Sequence, residues 1–161
     1  MTVYNGETYL RKTISCILNQ TFKNFEFLIV DDCSKDNTKK IIKSFNDNRI
    51  RLLSNKLNIG QTKSLNKGLK EAKGEYIARM DSDDISFPNW LEKSIYFLDK
   101  NSDYHAVGCS ALVIDENNII YDTLKRPTDF SGVIFNIFFG TSILHVGTLI
   151  KKVSLDGVGG Y

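Results

Sequence analysis

The chain has 161 residues, 42% hydrophobic and 25% charged, and its 21 basic and 19 acidic side chains leave a formal charge of +2. This describes one globular domain with a real core, and a charge so evenly balanced gives no ground for nucleic-acid binding. Cys16, Cys33 and Cys109 form no Cys-x-x-Cys pair and have only two histidines beside them, which excludes a zinc site and a disulfide framework and implies a reduced, cytoplasmic chain.

In chain order, the opening Met-Thr-Val-Tyr-Asn-Gly-Glu has no basic start and no apolar middle, unlike a secretory leader. Leu10, Ile14, Ile17 and Leu18 then predict an amphipathic helix over 7–19, with Asn5 and Gly6 as start signals. Phe25 to Val30 reads as a strand, and Ser34 to Phe45 as a helix with Ser34 at its N-cap. Arg49 to Leu53 alternates as a half-exposed strand. Gly60 to Ala72 reads as a helix closed by Lys73-Gly74 with a left-handed glycine. Tyr76 to Met80 is a strand, and Pro88 opens a helix carrying Leu91, Ile95 and Leu98. Ala106 to Ile114 reads as one longer strand, with a turn at Asp115 to Asn118 into Ile119-Ile120-Tyr121. Lys125 to Phe139 is ambiguous, and Val133 to Leu144, broken by Asn136, Gly140 and Thr141, falls short of the ~20 apolar residues of a membrane span. Alternating helices and strands predict an α/β fold, a mostly parallel open sheet with flanking helices.

Two of these strands end on acid. Asp31-Asp32 follows the first, and Asp81-Ser82-Asp83 follows the strand at Tyr76. In an open parallel sheet the carboxyl ends of strands share one rim, where ligands bind. Alternate residues of an extended segment point the same way, so Asp81 and Asp83 can face one ion. Carboxylate oxygens suit magnesium or manganese, which complete their shell with water and substrate phosphates. Asp and Ser are also ordinary turn residues, and Asp31 or Asp32 could simply cap a helix; two strands ending alike favour a site in which one of that pair bonds a base or ribose. Gly-x-Gly-x-x-Gly and Gly-x-x-x-x-Gly-Lys-Ser/Thr loops are absent, against a dinucleotide-binding oxidoreductase and a nucleoside triphosphatase. His145 reads as structural. Lys35, Lys39, Lys40 and Lys43, and Lys63, Lys67, Lys70 and Lys73, fall at helical spacing, as solvated faces or as contacts to an anionic membrane surface.

Together, Val3 to Leu10, Leu18 to Phe22, Val30 to Ser34, Asn58-Ile59-Gly60 and Gly74 to Asp84 resemble the family-2 glycosyltransferases, inverting enzymes of glycosyltransferase-A type fold that use nucleotide-sugar donors. The resemblance implies that Thr2, Tyr4 and Asp32 line the nucleotide pocket, that Asp81-Ser82-Asp83 is the motif for manganese or magnesium and the diphosphate, and that Lys63 borders the donor site. With Asp31, these make Thr2, Tyr4, Asp31, Asp32, Lys63 and Asp81 the expected donor-binding residues, and Asp81 and Asp83 the expected metal ligands. It further implies one domain over 1–161 that is the nucleotide-sugar-binding portion. The apolar first strand ahead of Thr2-Val3-Tyr4 and the acceptor portion with its acidic catalytic base are expected to be missing; Asp156 comes too early to be that base. The expected activity is transfer of a sugar from a nucleoside-diphosphate-sugar to a glycan or lipid-linked acceptor in cell-surface polysaccharide synthesis, at the cytoplasmic side with peripheral contact to the inner membrane face, the truncated chain itself being inactive. The alternatives are a non-catalytic nucleotide-sugar-binding remnant and a sugar nucleotidyltransferase, though the latter's glycine-rich, arginine-bearing loop is not found.

Overall fold

The computed structural model describes residues 1–138 and 140–161. Strand β1 (Thr2–Val3) leads to helix α1 (Leu10–Leu18), β2 (Phe27–Asp31), α2 (Thr38–Lys43), β3 (Ile50–Ser54) and α3 (Gln61–Glu71). Then come β4 (Tyr76–Ala78), α4 (Trp90–Lys100), β5 (Ala106–Val107), β6 (Ala111–Ile114), β7 (Ile120–Leu124), α5 (Phe130–Ile137), β8 (Leu149–Lys151) and α6 (Lys152–Gly157). The first three strands form a parallel sheet in the order β1-β2-β3, with Thr2 opposite Val30 and Phe27 opposite Ile50. The next strand leaves that sheet: β4 pairs antiparallel with β8, and β8 with β5, Tyr76 lying opposite Lys151.

The core follows the periodicity. Leu10, Ile14 and Ile17 of α1 pack with Phe27 and Ile29 of β2, Ile42 of α2, Trp90, Leu91 and Leu98 of α4, and Leu149 of β8. Burying each such side chain contributes ~1.5–3 kcal/mol before entropy is counted, so one face of α1 holds it down.

Several local expectations are corrected. The second helix begins at Thr38, because residues 34–37 are spent on the loop after β1: Ser34 Oγ accepts the Asn5 N–H (2.9 Å) instead of capping, and Glu7 Oε2 accepts both the N–H and the amide of Asn37 (2.9 Å each). Helix α3 ends at Ala72 in extended backbone, φ −71°, with the Lys73 N–H held by Glu26 Oε1 (2.6 Å), so Gly74 provides no left-handed cap. Helix α4 starts at Trp90; the carbonyl of Pro88 instead accepts the Thr21 N–H (2.7 Å). The long strand over 106–114 is broken at Gly108, where an added Cβ would meet Ile143 at 2.7 Å, and its second half forms the hairpin β6-β7, turned at Asn118 with φ 63°. The ambiguous stretch contains α5, capped by Asp129, whose Oδ1 accepts the Gly132 N–H (2.8 Å); Phe139 lies outside the described residues. Among the described residues no helix is long and apolar enough to cross a membrane.

A slot of about 820 Å³ runs between the parallel and antiparallel sheets, with Leu28 on one side and Tyr76 to Met80 on the other. The deficit shows in exposure. Ile29 and Val30 of β2 are sealed, whereas Leu28 of the same strand and Tyr76 and Ile77 of β4 are only half-buried.

Candidate functional site

Both acidic segments reach one hollow of about 440 Å³, lined by Thr2, Val3, Tyr4, Asp32, Asn58, Gly60, Gln61, Asp81, Ser82 and Asp83. The parallel sheet causes this convergence. The ends of β1 and β2 emerge side by side, α3 starts above them, and the segment after β4 comes in beneath, tied to α1 where Thr13 Oγ1 donates to the Ser82 carbonyl (3.0 Å).

Adjacent residues of a strand face opposite ways, and Asp31 and Asp32 part accordingly. Asp31 is fully buried and does not line the hollow; its Oδ1 accepts the Ser34 N–H (3.2 Å) and its Oδ2 lies 3.3 Å from Lys39 Nζ. Asp32 does line it. Its Oδ1 accepts the Asn55 amide (2.8 Å) and the Ile59 N–H (2.9 Å), and its Oδ2 accepts the Gly60 N–H (2.8 Å). Burial alone would raise the Asp32 carboxyl, but bonds from Ile59, Asn55, Gly60 and Ser64 outweigh it and hold it below the usual carboxylate range. The carboxylate thus fastens the loop entering α3, and Gly60 there has φ +87°, a conformation glycine accepts without strain.

Asp81 is partly exposed and forms an ion pair with Arg79, while Gln61 Nε2 approaches its Oδ1 at 3.4 Å. Arg79 is itself only 3% exposed, and its Nε and Nη1 make no hydrogen bond. Its backbone is fixed on both sides: the Arg79 N–H donates to the Thr148 carbonyl (2.9 Å) and its carbonyl accepts the Gly147 N–H (2.8 Å). Gly147 has φ +74° and its carbonyl accepts the Trp90 indole N–H (3.0 Å). Asp83 is exposed. Burial pushes the Asp84 carboxyl up, and the negative charges of Asp83 and Asp81 push it further against the opposing Arg79. That excess negative potential is what a cation relieves. Among the described residues no three histidine, cysteine or acidic side chains are grouped as metal ligands. Asp81 and Asp83 offer carboxylate oxygens, the donor type a hard divalent ion takes together with water and phosphate.

Of the other expected residues, Thr2 is buried in the hollow's wall and Tyr4, 50% exposed, forms its lip. Lys63 is exposed on α3 and does not line the hollow. The lysine clusters are partly spent inside the fold, Lys39 on Asp31 and Lys67 on Asn55 Oδ1 (2.7 Å). His145 lies beside Tyr161, ring centroids 5.2 Å apart. Asn55, Gln61 and Arg79 were not anticipated. Arg79 carried a signal: an arginine inside an apolar run, two residues before an acid, must be paired if that run is buried.

The family model described as Glycosyl transferase family 2 matches residues 1–153. The putative glycosyltransferase EpsE of Bacillus subtilis (strain 168) is 39% identical over 157 residues, 96% of this chain and 55% of that protein. The UDP-Glc:alpha-D-GlcNAc-diphosphoundecaprenol beta-1,3-glucosyltransferase WfgD of Escherichia coli is 40% identical over 120 residues, covering 74% and 47%. The chain spans about half the length of the curated relatives it matches. Two solved structures share the fold. S. aureus TarS 1–349 in complex with UDP-GlcNAc has a TM-score of 0.78 at 21% identity, over 98% of this chain and 45% of that one. Mannosyltransferase PcManGT from Pyrobaculum calidifontis, in complex with GDP-Man and Mn2+, has 0.71 at 18% identity, over 99% and 45%.

Proposed function

Because the chain belongs to glycosyl transferase family 2, we propose that it is the donor-binding portion of an inverting enzyme that moves a sugar from a nucleoside-diphosphate-sugar to a glycan or lipid-linked acceptor during cell-surface polysaccharide synthesis. The observation that carries this reading is the convergence of Asp32, Asp81 and Asp83 on one hollow with Thr2, Tyr4 and Gln61. Family membership also removes the nucleotidyltransferase alternative.

In this reading the nucleoside lies against Thr2 and the exposed ring of Tyr4, with the tethered Asn58 to Gly60 loop as the opposite wall. Asp32 acts mainly by shaping that wall, since three bonds already occupy its oxygens. Asp31, turned to Lys39, supports the strand end from behind. Lys63, outside the hollow, serves the donor only as nearby positive charge. Manganese or magnesium, when held by Asp81 and Asp83, supplies charge neutralisation to the departing nucleoside diphosphate. Arg79 holds one oxygen of Asp81 and so aims the other. An acceptor hydroxyl must lose its proton as it attacks the anomeric carbon from the face opposite the phosphate. A lipid-linked acceptor places the work at the cytoplasmic face of the membrane, and the apolar side chains that α5 turns outward, Phe130 and Ile137, suit peripheral contact there.

Titration calorimetry with a UDP-sugar and Mn2+ tests the binding. Saturable heat that needs both components and disappears in Asp83→Ala supports it; no heat from folded protein, or the same heat from the variant, refutes it.

A further inference from the structure

Strand β1 ends at Val3, whose carbonyl accepts the Asp32 N–H (2.8 Å), and Tyr4 is the first residue past the sheet. The chain turns directly after it, with Asn5 at φ 51°, a left-handed conformation that asparagine tolerates better than most residues. Residues 5–7 are then lashed to residues 34–38. The Asn5 N–H donates to Ser34 Oγ (2.9 Å), the Gly6 N–H to Thr38 Oγ1 (2.9 Å) and the Glu7 N–H to Asp36 Oδ2 (3.0 Å). In the other direction the Lys35 N–H donates to Asn5 Oδ1 (2.8 Å), and both the N–H and the side-chain amide of Asn37 donate to Glu7 Oε2 (2.9 Å each).

Resting on the donor-binding reading, we infer that Glu7 and Asn5 are positioning residues: their bonds to Asn37 and Lys35 fix the loop that carries Tyr4, and so set the wall against which a nucleoside lies.

These bonds order a loop more than they stabilise the fold. Asn5, Glu7 and Asn37 are exposed, and a hydrogen bond that water can replace contributes little net stability. From Tyr4 to Tyr9 no side chain is buried, so the loop has no apolar anchor of its own. Surface loops without one are mobile. Tyr4 is thus held by the ladder bond at Val3 on one side and by the lash on the other.

The opposite wall hangs from the same stretch of chain. Asp32 clasps Ile59 and Gly60, and the Cys33 thiol donates to the Lys56 carbonyl (3.4 Å). Residues 32–38 therefore fix both sides of the hollow, the Tyr4 ring on one and the Asn58 to Gly60 loop on the other. An aromatic face held still in this way has little freedom to lose when a base stacks on it.

The test is a double-mutant cycle read by calorimetry with UDP and with GDP, each with Mn2+. Glu7→Ala should weaken binding of the nucleotide that the wild type takes by ~3–10-fold, and Glu7→Gln, which keeps an oxygen for Asn37, should recover most of that loss. In a Tyr4→Ala background Glu7→Ala should cost less than ~2-fold, because there is no ring left to hold. Mn2+ binding alone, followed by electron paramagnetic resonance, should be the same in every variant, since Asp81 and Asp83 lie on another segment. In the free protein, amide exchange at Asn5 and Gly6 should quicken at least ~10-fold in Glu7→Ala, with Tm within a few degrees of wild type. The full loss persisting in the Tyr4→Ala background, unchanged nucleotide binding, weakened Mn2+ binding or unchanged exchange at Asn5 and Gly6 each overturns the proposal. A wild type that binds neither nucleotide refutes the sugar-transfer reading, and the lash on Tyr4 is then decided by the exchange alone.

Discussion

Replacing Asp32 with alanine strands three donors at once: the Asn55 amide and the Ile59 and Gly60 N–H groups. A buried donor left without its acceptor costs ~1–3 kcal/mol. Ile59 and Gly60 are exposed enough for water to replace part of the loss, whereas Asn55 is buried at 7% exposure, so the net cost works out at about 2–4 kcal/mol. At ~2–4 °C per kcal/mol for a chain of this size, Tm falls by roughly 4–16 °C. The pH dependence is a sharper check. Asp32 titrates lower in the folded than in the unfolded chain, so its stabilisation is fully present above the ordinary carboxylate value of 3.8 and is lost as pH falls through the lower folded value. Urea unfolding followed by Trp90 fluorescence, for wild type and Asp32→Ala at neutral pH and in steps below pH 4, should show the gap between them closing in acid. A gap under ~0.5 kcal/mol at neutral pH, or one that stays constant into acid, refutes the assignment of Asp32 as the clasp of this loop.

Gly147→Ala places a side chain at φ +74° against Cys109 and should cost more than ~1 kcal/mol while shifting Trp90 emission to the red, because the indole loses its seat on the Gly147 carbonyl; unchanged emission counts against that contact. Arg79→Met takes the internal cation away from Asp81, and Mn2+ binding followed by electron paramagnetic resonance should tighten severalfold; weaker binding would mean that aiming Asp81 outweighs competing for it. The Met1 amine, labelled by reductive ¹³C-methylation, should titrate near pH 5, and titration near its ordinary 8.0 contradicts its burial. Since the unfolded chain binds that proton more readily, stability should rise with pH between about 5 and 8 on this account.

What the sequence disclosed and what it withheld divide along the range of the interactions. Helices α1, α3 and α4 could be placed because one apolar face repeats within each segment, and β2 because its apolar run stops on acid. The pairing of β4 could not be seen, as its partner β8 lies some 70 residues away with Tyr76 opposite Lys151, and three-residue strands carry no period of their own. The shortening of α2 and the break at Gly108 come from tertiary neighbours, Glu7 in one case and Ile143 in the other. At the site, the carboxylates were legible as acids ending strands, and alternation along β2 would have allowed only one of Asp31 and Asp32 to face the rim. Asn55 and Gln61 were not legible, because a loop amide that bonds a carboxylate looks like any other polar loop residue.

The clasp made by Asp32 also bears on how a ligand would be received. A loop already fixed at Ile59 and Gly60 has little freedom left to lose, so occupancy of the hollow should draw on a wall that is preorganised, with a small entropic penalty for ordering. The same rigidity has an evolutionary corollary: inserting or deleting a single residue between Asn55 and Gly60 would slide both amide donors off the carboxylate, so this short connection should resist the length variation that surface loops ordinarily tolerate.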